Sequence, residues 1–141
     1  MDINRTVYKE LAHETGKPFI SILIGPRQVG KTFLLRQLAE ECISKGLSVQ
    51  FHNLEDPDDL RSYRGDDEQL IRQLKKTDTD VLFLDEFHYL KNATRIFKVL
   101  YDSGIKTKIF ASGSSSMEIH KHLKESLAGR FRLSLIQRHD H

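Results

Sequence analysis

The stretch that most restricts this chain is Gly25-Pro26-Arg27-Gln28-Val29-Gly30-Lys31-Thr32, which fits G-x-x-x-x-G-K-[ST] at every fixed position. With average residue usage, a chain of 141 residues meets that pattern by chance on the order of one time in two hundred. Its context narrows the choice further. The apolar run Pro18-Phe19-Ile20-Ser21-Ile22-Leu23-Ile24 reads as a strand before it. After it, Leu34, Leu35, Leu38, Ala39, Cys42 and Ile43 recur at helical spacing, with Lys45-Gly46 closing the helix. Strand, glycine-bounded loop and helix together make an anion cradle. Gly25 and Gly30 let the backbone wrap a charged ligand without Cβ collisions. The loop presents consecutive N–H groups, and the helix adds its positive end. Lys31 is expected to reach the β- and γ-phosphates of a nucleoside triphosphate and the Thr32 hydroxyl to ligate Mg²⁺. Gly25, Pro26, Arg27, Gln28, Val29, Gly30 and Phe33 complete the expected nucleotide-binding set, Arg27 being divided between phosphate and solvent.

The rest of the chain alternates short apolar runs with helical patterns, as in a parallel α/β sheet. Further strands are read at Leu47–Phe51, Val81–Leu84, Lys108–Ser112 and Phe131–Ile136. Helices are expected over Ile3–His13, Glu68–Lys76 and Ala93–Asp102, and from Ser115, where Ser115 and Glu118 have capping-box spacing. Glu55 to Asp67, broken by Pro57 and Gly65, reads as a helical turn plus loop. No repeat or linker interrupts the chain, so residues 1–141 are read as one domain.

Composition excludes several classes. No apolar run approaches the ~18 residues of a membrane helix, and the first residues lack the basic-then-apolar pattern of a secretory signal. One cysteine, Cys42, cannot staple a fold, which points to a reducing cytoplasm. Twenty-two Lys and Arg against 20 Asp and Glu leave a net charge of +2, without the clustered basic excess of a nucleic-acid module. A nucleic-acid-stimulated motor stays open only as a weaker alternative. The histidines have no zinc-ligand spacing: His120 and His122 fall on different sides of a helix, and His139 and His141 lie at the terminus. His88 reads as a loop residue beside the acidic pair described next.

Val81-Leu82-Phe83-Leu84-Asp85-Glu86 delivers two adjacent carboxylates at a strand end, where ligands bind in doubly wound sheets. Asp85 suits the orientation of Mg²⁺ or its water shell, and Glu86 the polarisation of an attacking water. A full strand–helix passage separates this pair from the phosphate loop, as in hydrolytic ATPases with an extra central strand. The Asn-Lys-x-Asp that reads guanine in GTPases is absent. The fourth strand ends in hydroxyls, of which Ser112 or Ser114 is a candidate sensor of the γ-phosphate if that strand lies between the first and third. Arg130, after Leu127-Ala128-Gly129, is a candidate to neutralise transition-state charge from a neighbouring subunit, against the plainer reading of a surface arginine beside Arg132.

Ile24 to Thr32, Phe83-Leu84-Asp85-Glu86-Phe87, Gly113-Ser114-Ser115 and Leu127-Ala128-Gly129-Arg130-Phe131 together resemble the bacterial and archaeal predicted ATPases of the AAA-superfamily type. The resemblance runs from about Arg5 to Leu135. It implies ATP and Mg²⁺ as cofactors, ATPase activity, Walker A roles for Lys31 and Thr32, and Walker B roles for Asp85 and Glu86. A homo-oligomer that supplies Arg130 in trans is a separate expectation, drawn from the place of that arginine after the helix-to-strand turn. Relatives of that type continue past the fifth strand into a helical lid and a C-terminal domain of unknown function, whereas this sequence stops at His141; a core without its lid is therefore expected. The expected fold is a P-loop NTPase, a doubly wound parallel five-stranded sheet in the order 5-1-4-3-2 with helices on both faces. ATP hydrolysis is the expected activity, and a nucleotide-binding switch or assembly module with little turnover is the alternative.

Overall fold

Strands that are apolar at almost every position need cover on both faces. The computed structural model, which describes residues 3–26, 30–114 and 129–136, supplies it. Strands β1 (Ile20–Gly25) and β3 (Val81–Asp85) are buried along their whole length. With β2 (Val49–Asn53), β4 (Lys108–Ser114) and β5 (Phe131–Leu135) they form one sheet ordered β2-β3-β4-β1-β5. Every pairing is parallel. This is the order anticipated from the sequence, read from the other edge. The chain leaves β1, passes over two strand positions to β2, and returns through β3 and β4. The C-terminal ends of β1, β4 and β3 therefore lie side by side, where the reversal of strand order opens a crevice.

Among the described residues the helices are α1 (Ile3–His13), α2 (Lys31–Ser44), α3 (Pro57–Arg61), α4 (Asp67–Lys75) and α5 (Ala93–Asp102), with 3-10 turns at Glu14–Gly16 and Phe87–Tyr89. The two-residue period of the strands sorts side chains between the faces. Leu23, Val81, Phe83 and Phe110 pack beneath Leu11 of α1 and Leu35 and Leu38 of α2. Ile22, Ile24, Leu82, Leu84 and Ile109 turn the other way, onto Leu70 and Leu74 of α4 and Ile96, Phe97 and Leu100 of α5. Beneath α2 three rings stack, Phe51 on Phe83 at 5.6 Å and Phe83 on Phe110 at 5.1 Å. Burying one such Leu, Ile or Phe stabilises by roughly 1.5–3 kcal/mol, so these two apolar layers hold the sheet and the polar groups above them are free to serve a site.

Element ends follow local chemistry. Pro18 has no N–H for the ladder, and β1 begins two residues later than the apolar run. Asp56 caps α3 by accepting from the Asp58 N–H, with Pro57 at the first helical position. Asp66 and Gln69 form a reciprocal capping box at α4. One residue departs from its expected face: Ile43, grouped with the apolar positions of α2, is 58% exposed, because α2 turns it away from both α1 and the sheet. The helix expected from Ser115 and Glu118 lies outside the described residues, as do His120, His122, His139 and His141.

Candidate functional site

Asp85 and Ser112 continue the parity of Phe83 and Phe110, so both stand on the α2 side at the C-terminal edge of the sheet, directly above the stacked rings. The first turn of α2 brings Lys31 and Thr32 to the same spot. The Thr32 hydroxyl donates to Asp85 Oδ2 at 2.6 Å. The Ser112 hydroxyl donates to Asp85 Oδ1 and accepts the Glu86 N–H at 3.1 Å. Asp85 and Ser112 are fully buried. Thr32 and Asp85 thus offer hard oxygen donors held together, a pair suited to Mg²⁺, which takes few protein ligands and fills its octahedron with phosphate oxygens and water.

Lys31 is 5% exposed, and all of its donor capacity is directed inward. Its Nζ donates to the Gly25 carbonyl at 2.6 Å and the Gly113 carbonyl at 3.0 Å, and lies 3.5 Å from Glu86 Oε1. Glu86 is buried as well, and Oε1 has no hydrogen-bond partner among the described residues. The backbone explains its aim. At φ 60, ψ 52 Glu86 adopts the left-handed conformation, which costs a non-glycine residue on the order of 1 kcal/mol. That turn swings its carboxylate off the line of β3 and toward Lys31. A buried ammonium 3.5 Å from a buried carboxylate whose Oε1 lacks a hydrogen bond forms a site that a polyphosphate and a water can complete.

The two loop glycines act for different reasons. Gly30, at φ 88, supplies the left-handed turn that starts α2. Gly25 is required by packing: a Cβ there would sit 2.2 Å from Ile136 Cγ2 and 2.6 Å from the Ile136 carbonyl oxygen. The loop begins on a backbone pressed against the end of β5. Pro26 is half-buried, while Arg27, Gln28 and Val29 lie outside the described residues. Phe33 is 73% exposed and joins Arg5, Tyr8, Lys9, Gly30, Leu34 and Gln37 around a cavity of about 390 Å³ between α1 and α2. This hollow adjoins the loop at Gly30. A larger one, about 780 Å³, lies by the N-terminal ends of α4 and α5 and holds none of the motif residues.

The family model described as AAA domain matches residues 17–137, and so spans both the loop and the acidic pair. The chain belongs to that family. Its fold is similar to that of solved AMPPCP-bound DnaA from Aquifex aeolicus, at a TM-score of 0.57 and 17% identity over 97% of this chain and 47% of that one. A DNA replication initiation factor gives 0.59 and 19% over 94% of this chain and 44% of the other. DnaI gives 0.64 and 20% over 98% and 84%. The AAA domain described here therefore spans under half the length of the first two. None of the curated proteins matches it.

The strand ends carry two further expected residues of this AAA domain. Ser114 ends β4 in register with Gly25, beside the start of the loop, and is half-buried. Arg130 lies at the opposite edge of the sheet, just before the Phe131 that pairs with Ile20. Five residues at about 3.3 Å each separate that edge from the loop, roughly 17 Å. There Arg130 Nε donates to Asp102 Oδ1 at 2.8 Å and Nη2 to Oδ2 at 3.2 Å. These hydrogen bonds hold the Asp102 carboxyl below its usual range. His88 lies in the turn after Glu86, its ring against Tyr89. No group of three or more His, Cys, Asp or Glu among the described residues forms a metal cluster, and none of the described helices is long and apolar enough to cross a membrane. Cys42 is buried, its thiol pushed up by desolvation.

Sequence reasoning missed the partners. Asp102 as the acceptor of Arg130 and α1 as a wall of the hollow are both long-range facts without local signature. It also missed a polar network at the lower edge of the sheet. Lys108 Nζ donates to the Phe19 carbonyl at 2.6 Å and to Ser21 Oγ at 2.8 Å, and Ser21 Oγ donates to Glu14 Oε1 at 2.6 Å. The Lys108 ammonium also sits over the rings of Phe19 and Phe110, and burial pushes its pKa down to about 8. A serine inside an otherwise apolar strand, and a lysine opening another, are the signals that were available.

Proposed function

We propose that this AAA domain binds ATP with Mg²⁺ at the loop from Gly25 to Thr32 and hydrolyses it. The observation that carries the reading is the convergence of Lys31, Thr32, Asp85 and Glu86 at one strand edge, with Thr32 bonded to Asp85 and Lys31 3.5 Å from Glu86. Lys31 would leave the Gly25 and Gly113 carbonyls for the β- and γ-phosphates. Thr32 and Asp85 would hold Mg²⁺, which when bound screens phosphate charge. Glu86 would orient the attacking water and accept its proton at Oε1, the oxygen left without a hydrogen bond. Ser114, in register with Gly25 beside the loop, would feel the γ-phosphate. The cavity at Phe33, Tyr8 and Arg5 offers aromatic and cationic walls for the nucleoside, in keeping with the nucleotide analogue held by the similarly folded DnaA.

A second reading, a nucleotide-dependent switch with little turnover, draws on Arg130. Within one chain it is bonded to Asp102 at the far edge, so charge neutralisation by Arg130 requires a second copy. The test is a titration of the protein with ATP and Mg²⁺ beside a phosphate-release assay. Binding with release that Glu86→Gln abolishes supports hydrolysis. Binding without release supports the switch. No binding at millimolar ATP overturns both. Stimulation by added DNA would bring in the nucleic-acid-stimulated motor, which the balanced charge of this chain does not favour.

A further inference from the structure

Resting on the phosphate-site reading, the geometry points to Ser112 as the positioning residue that sets the metal-facing oxygen of Asp85 and the turn of Glu86, distinct from any sensor of the γ-phosphate. A serine hydroxyl has one proton to donate and two lone pairs to accept with. The single proton is committed to Asp85 Oδ1, and one lone pair takes the Glu86 N–H at 3.1 Å. Donation to a phosphate oxygen would strip Asp85 of that bond. Ser112 is also fully buried beneath the carboxylate rather than beside the loop.

The strand register explains why a side chain is needed here. Backbone pairing of β3 with β4 runs from Val81 and Lys108 to Leu84 and Ala111. The next position sets Asp85 opposite Ser112, and one residue later the chain turns left-handed at Glu86, so its N–H cannot continue the ladder. Ser112 catches that N–H. With Oδ1 tied to Ser112, Oδ2 is the oxygen presented to Thr32 and to an ion between them. One hydroxyl thereby fixes both carboxylates of the pair: Asp85 through its side chain and Glu86 through its backbone.

Outer partners of this kind typically change metal affinity or activity 10–100-fold when removed. The test uses ADP, which has no γ-phosphate, and Mn²⁺ read by electron paramagnetic resonance. Ser112→Ala is expected to weaken Mn²⁺ binding to the ADP-bound protein about 10-fold while metal-free ADP affinity stays as in the wild type. Ser112→Thr, which keeps the hydroxyl, is expected to restore it, and a thermal melt checks that each variant is folded. Ser114→Ala should leave the Mn²⁺–ADP signal unchanged and weaken only the preference for a non-hydrolysable ATP analogue. Unchanged Mn²⁺ affinity in folded Ser112→Ala, with that preference lost instead, would overturn the inference and return Ser112 to a sensor. Absence of ADP binding by the wild type would overturn the phosphate-site reading itself, a separate result.

Discussion

Deleting the Lys31 ammonium would remove more than the proposed phosphate contact. Its three inward partners, the Gly25 and Gly113 carbonyls and Glu86, are left buried and unpaired. A hydrogen bond to a charged group contributes about 1.5–3 kcal/mol, so Lys31→Ala should weaken ATP binding by roughly 10- to 100-fold in calorimetry. It should also lower the melting temperature without ligand, because orphaned carbonyls are costly. Equal ATP affinity in variant and wild type would contradict the assignment. Glu86→Gln keeps the size of the side chain while removing the proposed base. Nucleotide binding should persist, and phosphate release should fall by about two to four orders of magnitude, the usual contribution of general base catalysis. Lys31 and Glu86 were readable from the sequence because a motif fixes residue type and spacing. Their mutual pairing was not, since it follows from a left-handed turn at a non-glycine residue.

Where β1 ends against β5, element packing sets what the loop can tolerate. The Cβ of Gly25→Ala would meet the backbone and side chain of Ile136, and a backbone oxygen cannot rotate away. Overpacking of this kind typically costs about 1–3 kcal/mol, so a thermal melt should fall by several degrees even without nucleotide. At the other end of the sheet, Lys108 ties β4 to β1 and the 3-10 turn through Phe19, Ser21 and Glu14. Because burial lowers its pKa from 10.5 to about 8, the unfolded chain holds a proton that the folded chain has released between those values. Stability should therefore rise with pH across roughly 8 to 10, by on the order of 3 kcal/mol at most, and the penalty is fully present below pH 8. Melts of Lys108→Met should lack that rise. An identical rise in the variant would assign it to other groups. α1, α5 and the strand cores were legible from periodicity, and the capping box at Asp66 and Gln69 follows the same rule that was applied to Ser115 and Glu118.

At the scale of the whole molecule, Arg130 and Gly25, where the loop begins, lie at opposite ends of two neighbouring parallel strands. If Arg130 assists hydrolysis it does so across a contact between copies, so phosphate release per chain should climb with protein concentration. Arg130→Ala should flatten that climb while leaving ATP affinity unchanged. Activity independent of concentration would favour the switch reading. The sequence by itself determined the class of the fold and supplied the residues proposed for phosphate and metal. Strand alternation, a glycine-bounded loop and an acidic strand end are local patterns with few physical solutions. The tertiary structure alone decided which groups meet. Ser112 beneath Asp85, Ile136 against Gly25, Asp102 beside Arg130 and Glu14 near Lys108 join segments separated by as many as a hundred residues or more. Their distances depend on strand order and register, which the whole chain fixes at once and no short stretch encodes.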